Sequence, residues 1–460
     1  MSDHGLELAR AKMTDAGVAH QAIDVFSHYY RQLEEGVTGF IAEDSIEPLT
    51  GPDLLESVEV SDDEAAAALA QTVIIKLNGG LGTSMGMDKA KSLLPVRDGK
   101  SFLDIIVEQV VSARSSYGAK LPLIFMNSFR TQDDTLGALS KYPDLEVDGL
   151  GLDFLQNSEP KLRADDLTPV TWPADPTLEW CPPGHGDLYT ALLASGVLDR
   201  LLAAGYRYAS VSNSDNLGAA PNARIAGWFA ASGAPYAAEI CRRTAADRKG
   251  GHLAIRKRDH QLILRDTAQT SAEEMHFFTD EFRHPYFHTN NLWFDLEVLS
   301  RTLAERQGVL GLPLIKNEKT VDPADSSSTP VIQIESAMGA AIEVFEGATA
   351  IGVGRERFLP VKTTNDLLLL QSDVYEVGDD GLLTRVADPA PLVELDSKFY
   401  KTIGEFSERF PAGAPSLKQA SRLTVQGDWT FEAGVVVEGA GSLSDQGEPS
   451  TVTSGTVLTG

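Results

Sequence analysis

The residues best suited to hold a phosphorylated ligand form one run, Lys76-Leu77-Asn78-Gly79-Gly80-Leu81-Gly82-Thr83-Ser84-Met85-Gly86, with Lys89 and Lys91 just beyond it. Glycines let a backbone approach a ligand closely and aim several N–H groups at phosphate oxygens, and lysines add charge. The run is not a Walker A loop, because neither lysine has a glycine before it together with Ser or Thr after it. It also misses the dinucleotide fingerprint, whose third glycine would fall on Met85. A plain flexible turn is the alternative reading.

Four further stretches carry polar groups in patterns that suit chemistry. Ser212-Asn213-Ser214-Asp215-Asn216-Leu217-Gly218 follows a strand candidate. A carboxylate past the carboxyl end of a parallel strand stands where α/β folds bind ligands, and beside phosphates it suits Mg²⁺; an Asx-turn would use the same residues. In Pro182-Pro183-Gly184-His185-Gly186-Asp187 a rigid turn becomes flexible and ends in an acid, read foremost as a helix N-cap, with His185 a weak ligand candidate. His288-Thr289-Asn290-Asn291-Leu292-Trp293 offers adjacent amides to sugar hydroxyls, or is a polar turn beside a packed Trp. Phe358-Leu359-Pro360-Val361-Lys362-Thr363-Thr364 sets a lysine between an apolar entry and two hydroxyls, a pattern that a solvated surface lysine would also give.

The elements that must position these groups alternate. Apolar Val73-Ile74-Ile75 runs into the glycine loop, and further strands are expected at 121–126, 208–212, 236–240 and 350–353, with helices at 102–113 and 187–204 between them. That order predicts a mostly parallel sheet covered on both faces. Helical spacing of Leu8, Ala11, Ala16, Ile23, Phe26 and Tyr30 makes the first segment, Leu6 to about Leu33, helical. From 423 to 459 short apolar beats among Val, Gly, Thr and Ser predict a small β-domain of short, stacked strands. The expected division is a helical segment at 1–65, a catalytic α/β domain at 66–377 and a β-helix-like domain at 378–460.

Composition narrows the function. A formal net charge of -27 repels a nucleic-acid backbone, so clustered lysines become informative and nucleic acid is not an expected partner. No apolar run is long enough to span a bilayer or to act as a signal peptide, so a cytoplasmic location away from membranes is expected. Cys181 and Cys241 fit a reducing compartment and form neither a metal-ligand pattern nor a disulfide framework.

Read together, these segments resemble the eukaryotic-type UTP–glucose-1-phosphate uridylyltransferase family. The resemblance also takes in KGG at Lys249 to Gly251, VIQIESAMGAAIEVF at Val331 to Phe345 and RFLPVKTTNDLL at Arg357 to Leu368. It implies an α/β, Rossmann-like, mixed and mostly parallel sheet, with a helical N-terminal segment and a C-terminal left-handed β-helix. It further implies that Leu77, Asn78, Gly79, Gly80, Gln156, Gly184 and Asn213 hold UTP, with Gly184 at the uracil. His185, Gly251, Asn290 and Asn291 would face the glucose 1-phosphate, Lys91 and Lys362 would contact the reacting phosphates, and Asp215 would hold Mg²⁺.

The chain departs from the family where Asp88-Lys89-Ala90-Lys91-Ser92 replaces a glycine-proline-lysine-serine pattern, which makes Lys89 a second candidate for the work of Lys91. After Gln156, Asn157-Ser158-Glu159-Pro160-Lys161 stands in place of an arginine-rich continuation. The implied reaction is in-line attack of glucose 1-phosphate on the α-phosphorus of UTP. An N-acetylglucosamine or mixed-sugar pyrophosphorylase and a silent nucleotide-binding relative are the alternatives. Whether copies of the chain associate is left open.

Overall fold

A computed structural model of the protein describes residues 4–244 and 247–459. The outermost residues of the first and last expected domains, 1–3 and 460, therefore lie outside the described residues. The centre is a mixed sheet whose main path runs Asp53–Leu54, Thr349–Gly352, Tyr236–Arg242, Tyr286–Asp295, Tyr208–Asn213, Thr72–Asn78, Leu123–Asn127, Asp153–Leu155. Every neighbouring pair on this path is parallel except the two that Tyr286–Asp295 makes, both antiparallel.

The pleat explains why the central strand reads as a continuous apolar run. Successive side chains point to opposite faces, and both faces are covered. Val73 and Ile75 join one core with helices His4–Asp15, His20–Glu34 and Leu188–Ala194. Ile74 joins the other, with helices Phe102–Tyr117, Ala223–Ser232 and Thr364–Gln371. Helix Phe102–Tyr117 starts where Ser101 and Asp104 form a capping box, each satisfying the other's backbone N–H, and stops at Gly118, whose φ of 62° suits a residue without a Cβ.

The structure differs from the sequence expectation at three places. The helical segment expected from Leu6 to about Leu33 is two helices, His4–Asp15 and His20–Glu34, with Gly17 (φ 74°) between them, and the helix expected at 187–204 is divided at Gly196 (φ 70°) into Leu188–Ala194 and Val197–Ala203. The first 65 residues are not purely helical. Ile46–Pro48 pairs with His252–Arg256, and Asp53–Leu54 adds a parallel edge beside Thr349–Gly352. Most consequential is Tyr286–Asp295, whose polar segment has a turn as one of its two readings but which lies in the middle of the sheet. Thr289 and Asn291 are satisfied by Glu239, Arg357 and Asn216, partners far away in the chain that no local pattern reveals.

At the C-terminal end, Leu392–Leu395, Ser416–Val425, Val436–Leu443 and Val457–Thr459 form one all-parallel ladder, and Trp429–Phe431 pairs in parallel with Ser450–Val452. From Ser416 on the chain returns to the same place every 18 to 21 residues, as Arg422 beside Ala440 and Val436 beside Val457 show, whereas Leu392 lies beside Arg422 across a longer connection. Leu417, Phe431 and Val437 belong to the same buried cluster as Ile74 and Phe125.

Candidate active site

The carboxyl ends of Thr72–Asn78 and Tyr208–Asn213, parallel and adjacent, open into a cavity of about 310 Å³. Its wall includes Leu77, Gly79, Gly80, Lys91, Gln156, Gly184, His185, Asn213 and Asp215. The glycine loop turns its oxygens into the protein. The carbonyls of Leu77, Gly79 and Gly80 accept from Ser214 N (3.0 Å), Ser128 Oγ (3.0 Å) and Lys91 N (3.1 Å). An anion at this wall is therefore spared their repulsion. A Cβ on Gly79 would lie 2.7 Å from Gln156 Oε1, so glycine is what lets the Gln156 amide lie against the loop.

Two polar residues of the loop face away from the cavity. The Asn78 side chain donates to Asn127 Oδ1 (2.8 Å) and Thr135 Oγ1 (2.9 Å) and accepts from Ser214 Oγ (3.0 Å), so it braces the loop, and only its backbone remains for a ligand. Lys76 is buried and donates to Ser212 Oγ and Ala219 O, each at 2.8 Å; burial pulls its ammonium down to about 7. Lys89 is exposed, whereas Lys91 lines the cavity and its Nζ lies 2.6 Å from Asp215 Oδ2.

On the opposite wall Gly184 has φ 77°, and a Cβ there would lie 2.7 Å from Ser336 O. His185 Nδ1 accepts from Met338 N at 3.0 Å, which puts the proton of the neutral ring on Nε2, and burial lowers its pKa. Asp187 is not the helix cap that its position suggests. Its side chain makes no cap bond; it accepts instead from Asn157 N (2.6 Å) and Asn157 Nδ2 (2.8 Å), tying the turn to the residue after Gln156. Burial pushes this carboxyl up to about 7, against the pull of the Asn157 bonds.

A second cavity of about 340 Å³ shares Asn213 and Asp215 with the first. Gly251, His288, Asn290 and Lys362 line it, together with Lys249 and Asp266. Asn290 has φ 61° beside the register shift at 238–240, and its N–H donates to His288 Nδ1 at 2.8 Å. Burial, then the neighbouring His185, drive the His288 imidazole down to about 4. Asn291, expected to face the sugar, is placed otherwise. Adjacent strand residues point to opposite faces, and its amide is held by Glu239 Oε2, Arg357 O and Asn216 Nδ2, each at 3.1 Å. A Cβ on Gly251 would meet Asp266 Oδ2 at 3.0 Å, so glycine keeps this wall open. Sequence reasoning passed over Asp266, which carries no motif of its own and reaches the cavity only through the hairpin His252–Arg256 and Leu262–Arg265.

Lys362 closes the far side of the second cavity, and its ammonium makes no ion pair among the described residues. Also among the described residues, no group of three or more His, Cys, Asp or Glu side chains could hold a metal. The donor set at the junction is one carboxylate, Asp215. That fits Mg²⁺, which commonly takes one or two carboxylates and completes its shell with water and substrate phosphates.

The chain is similar to known proteins over most of its length. Residues 23–438 match the family described as UTP–glucose-1-phosphate uridylyltransferase. The enzyme of that name from Solanum tuberosum is 39% identical over 394 residues, 84% of this chain and 80% of the relative. A probable one from Schizosaccharomyces pombe is 36% identical over 423 residues, 90% of this chain and 81% of the relative. Among solved structures, the UDP-glucose phosphorylase of Trypanosoma brucei superposes with a TM-score of 0.91 at 42% identity, covering 99% of this chain and 98% of its own. A variant UDP-glucose pyrophosphorylase of Leishmania major in complex with UDP-glucose gives 0.92 at 41% identity, covering 100% and 99%. With the match spanning nearly the whole chain in sequence and in fold, this protein belongs to the UTP–glucose-1-phosphate uridylyltransferase family.

Proposed function

We propose that the protein joins UTP and glucose 1-phosphate to form UDP-glucose and pyrophosphate. The observation that carries this reading is the pair of cavities meeting at Asn213 and Asp215, with Lys91 and Lys362 lining them. The first takes the nucleotide: the glycine-loop backbone and Gln156 hold UTP, with Lys91 at its phosphates and Gly184 at the uracil. The second takes the sugar phosphate, with Gly251 and Asn290 at the glucose and His185, which lines the first cavity, near its phosphate.

A phosphate monoester has a second pKa of about 6, so glucose 1-phosphate is a dianion at neutral pH and needs no general base. Its oxygen attacks the α-phosphorus in line, the new P–O bond forms as the bond to the bridging oxygen breaks, and the electron pair leaves with pyrophosphate. No proton moves and no covalent enzyme intermediate forms. The chain aligns the two substrates and places ammonium groups where charge builds up. Asp215 would hold Mg²⁺, which when bound supplies further positive charge to the phosphates. Asp215 also pairs with Lys91 at 2.6 Å, so the residue that would hold the ion stands beside the ammonium that faces the phosphates.

The same reading divides the chain at 1–65, 66–377 and 378–460 and makes the C-terminal parallel ladders a left-handed β-helix, for which the all-parallel pairing and the return of the chain every 18 to 21 residues from Ser416 on are the support. The purified protein given UTP and Mg²⁺ tests the substrate. Pyrophosphate release will be fastest with glucose 1-phosphate, slower with galactose 1-phosphate and slowest with N-acetylglucosamine 1-phosphate, because buried polar groups left without partners penalise the analogue. Preference for the N-acetylated sugar would overturn the substrate. UTP binding with no pyrophosphate from any sugar phosphate would overturn the activity.

A further inference from the structure

The segment that carries Lys362 is bonded to the Asp215 loop along its whole approach. Asn216, next to Asp215 and 2% exposed, uses both ends of its amide. Its Oδ1 accepts from Leu359 N at 2.8 Å and from Gly218 N at 3.2 Å, and its Nδ2 donates to Arg357 O and Asn291 Oδ1, each at 3.1 Å. Asn216 also forms an isolated bridge with Pro360, and Val361 N donates to Asp215 O at 3.3 Å. The two segments touch backbone to backbone, since a Cβ on Gly218 would lie 2.3 Å from Glu356 O.

Beneath this contact Arg357 is clamped to fully buried Glu239, Nη2 to Oε1 at 2.7 Å and Nε to Oε2 at 3.0 Å. Glu239 also accepts from Trp293 Nε1 and Asn291 Nδ2. One end of the Lys362 segment is thus fixed to the sheet; across the Asp215 loop Asn216 holds it at Arg357 and Leu359, and the Lys91 ammonium, paired with Asp215, donates to Val361 O. Lys362 itself is held by nothing comparable: its own backbone N–H donates to Asp366 of the following helix, and its ammonium is free to meet a ligand.

We propose that Asn216 is a positioning residue that sets where Lys362 stands relative to Asp215, and that its contribution to turnover passes through Lys362. The inference rests on the functional reading above, in which Lys362 contacts the reacting phosphates. A group that acts only by placing another loses its effect once that other group is removed, so the two substitutions must not multiply.

The test is a cycle of Asn216→Ala, Lys362→Ala and the double variant in the full chain, assayed with UTP, glucose 1-phosphate and Mg²⁺. Lys362→Ala will lose on the order of 10²-fold in kcat, as the loss of a transition-state charge contact commonly does. Asn216→Ala will lose at least about 10-fold in kcat, since small misplacements at a reacting centre are costly, while its Kd for UTP stays within about 3-fold. The double variant will fall no more than about 2-fold below Lys362→Ala. Multiplying losses, or a fully active Asn216→Ala, would overturn the role of Asn216 alone. Near-normal turnover of Lys362→Ala would instead overturn the reading of the site beneath it. If Asn216→Ala does not fold, Leu359→Pro removes the N–H at the other end of the same bond and goes through the same cycle, with the same outcomes deciding.

Discussion

Single side chains at the cavity junction make the sharpest demands. Asp215 is, among the described residues, the one carboxylate that borders both cavities, so Asp215→Ala should lose on the order of 10²-fold in turnover while the thermal unfolding midpoint stays near that of the parent. Near-normal activity at low Mg²⁺ would remove it from the mechanism. The two lysines after the glycine loop differ by only two positions, yet one lines the cavity and the other is exposed. Lys91→Ala should therefore cost far more kcat than Lys89→Ala, and steady-state kinetics giving the reverse order would move the phosphate contact. At this scale the motif was legible and the direction of each side chain was not. Asn290 and Asn291 are neighbours of one residue type, and only the pleat with its bulge sends one to the cavity and the other into a buried network.

Elements decide what the turns can do. The Pro182 to Asp187 turn reads as the entry to a helix, but Asp187 spends its acceptors on Asn157 and so joins the turn to the segment after Gln156. That attachment has a pH signature. Burial pushes Asp187 up to about 7 from its ordinary 3.8. Between those values the unfolded chain has lost a proton that the folded chain retains, so this group's contribution to stability falls as pH rises from about 4 to about 7. Asp187→Asn has no proton to lose. Guanidinium unfolding at pH 5 and pH 8 should show a smaller drop across that interval for the variant than for the parent, and identical drops would show that the carboxyl ionises normally. The strand Tyr286–Asp295 makes the same point about legibility. Its His288, Thr289, Asn290 and Asn291 break an apolar pattern, and such a segment sits in a central sheet only because distant groups such as Glu239 O, which accepts from Thr289 Oγ1, satisfy it.

Over the whole molecule, the C-terminal ladders share a buried cluster with the α/β sheet, and the glycine loop ends against the helical connection between two ladder strands, where a Cβ on Gly86 would lie 2.9 Å from Thr402 Cβ. A common core predicts common unfolding. Leu417→Ala, at a fully buried position of that cluster, should destabilise the chain by about 2–5 kcal/mol. Far-UV circular dichroism and tryptophan fluorescence should report the same denaturant midpoint, because Trp429 sits in the ladders and Trp228 and Trp293 in the α/β part. Separated midpoints would show that the ladders unfold on their own. No helix among the described residues is long and apolar enough to cross a membrane.

The sequence by itself determined the family, the strand that feeds the glycine loop, the alternation behind the parallel sheet and the polar clusters from which the site is made, because motif order and apolar periodicity are local properties of the chain. Only the tertiary structure decided that Asp215 stands between two cavities, that Lys91 rather than Lys89 reaches it, that Asn78, Asn291 and Asp187 turn inward, and that Asn216 joins the loops of Asp215 and Lys362. Those outcomes depend on which backbone groups still lack a partner once strands far apart in sequence have paired, and buried polar groups are satisfied by whatever the fold brings within about 3 Å of them.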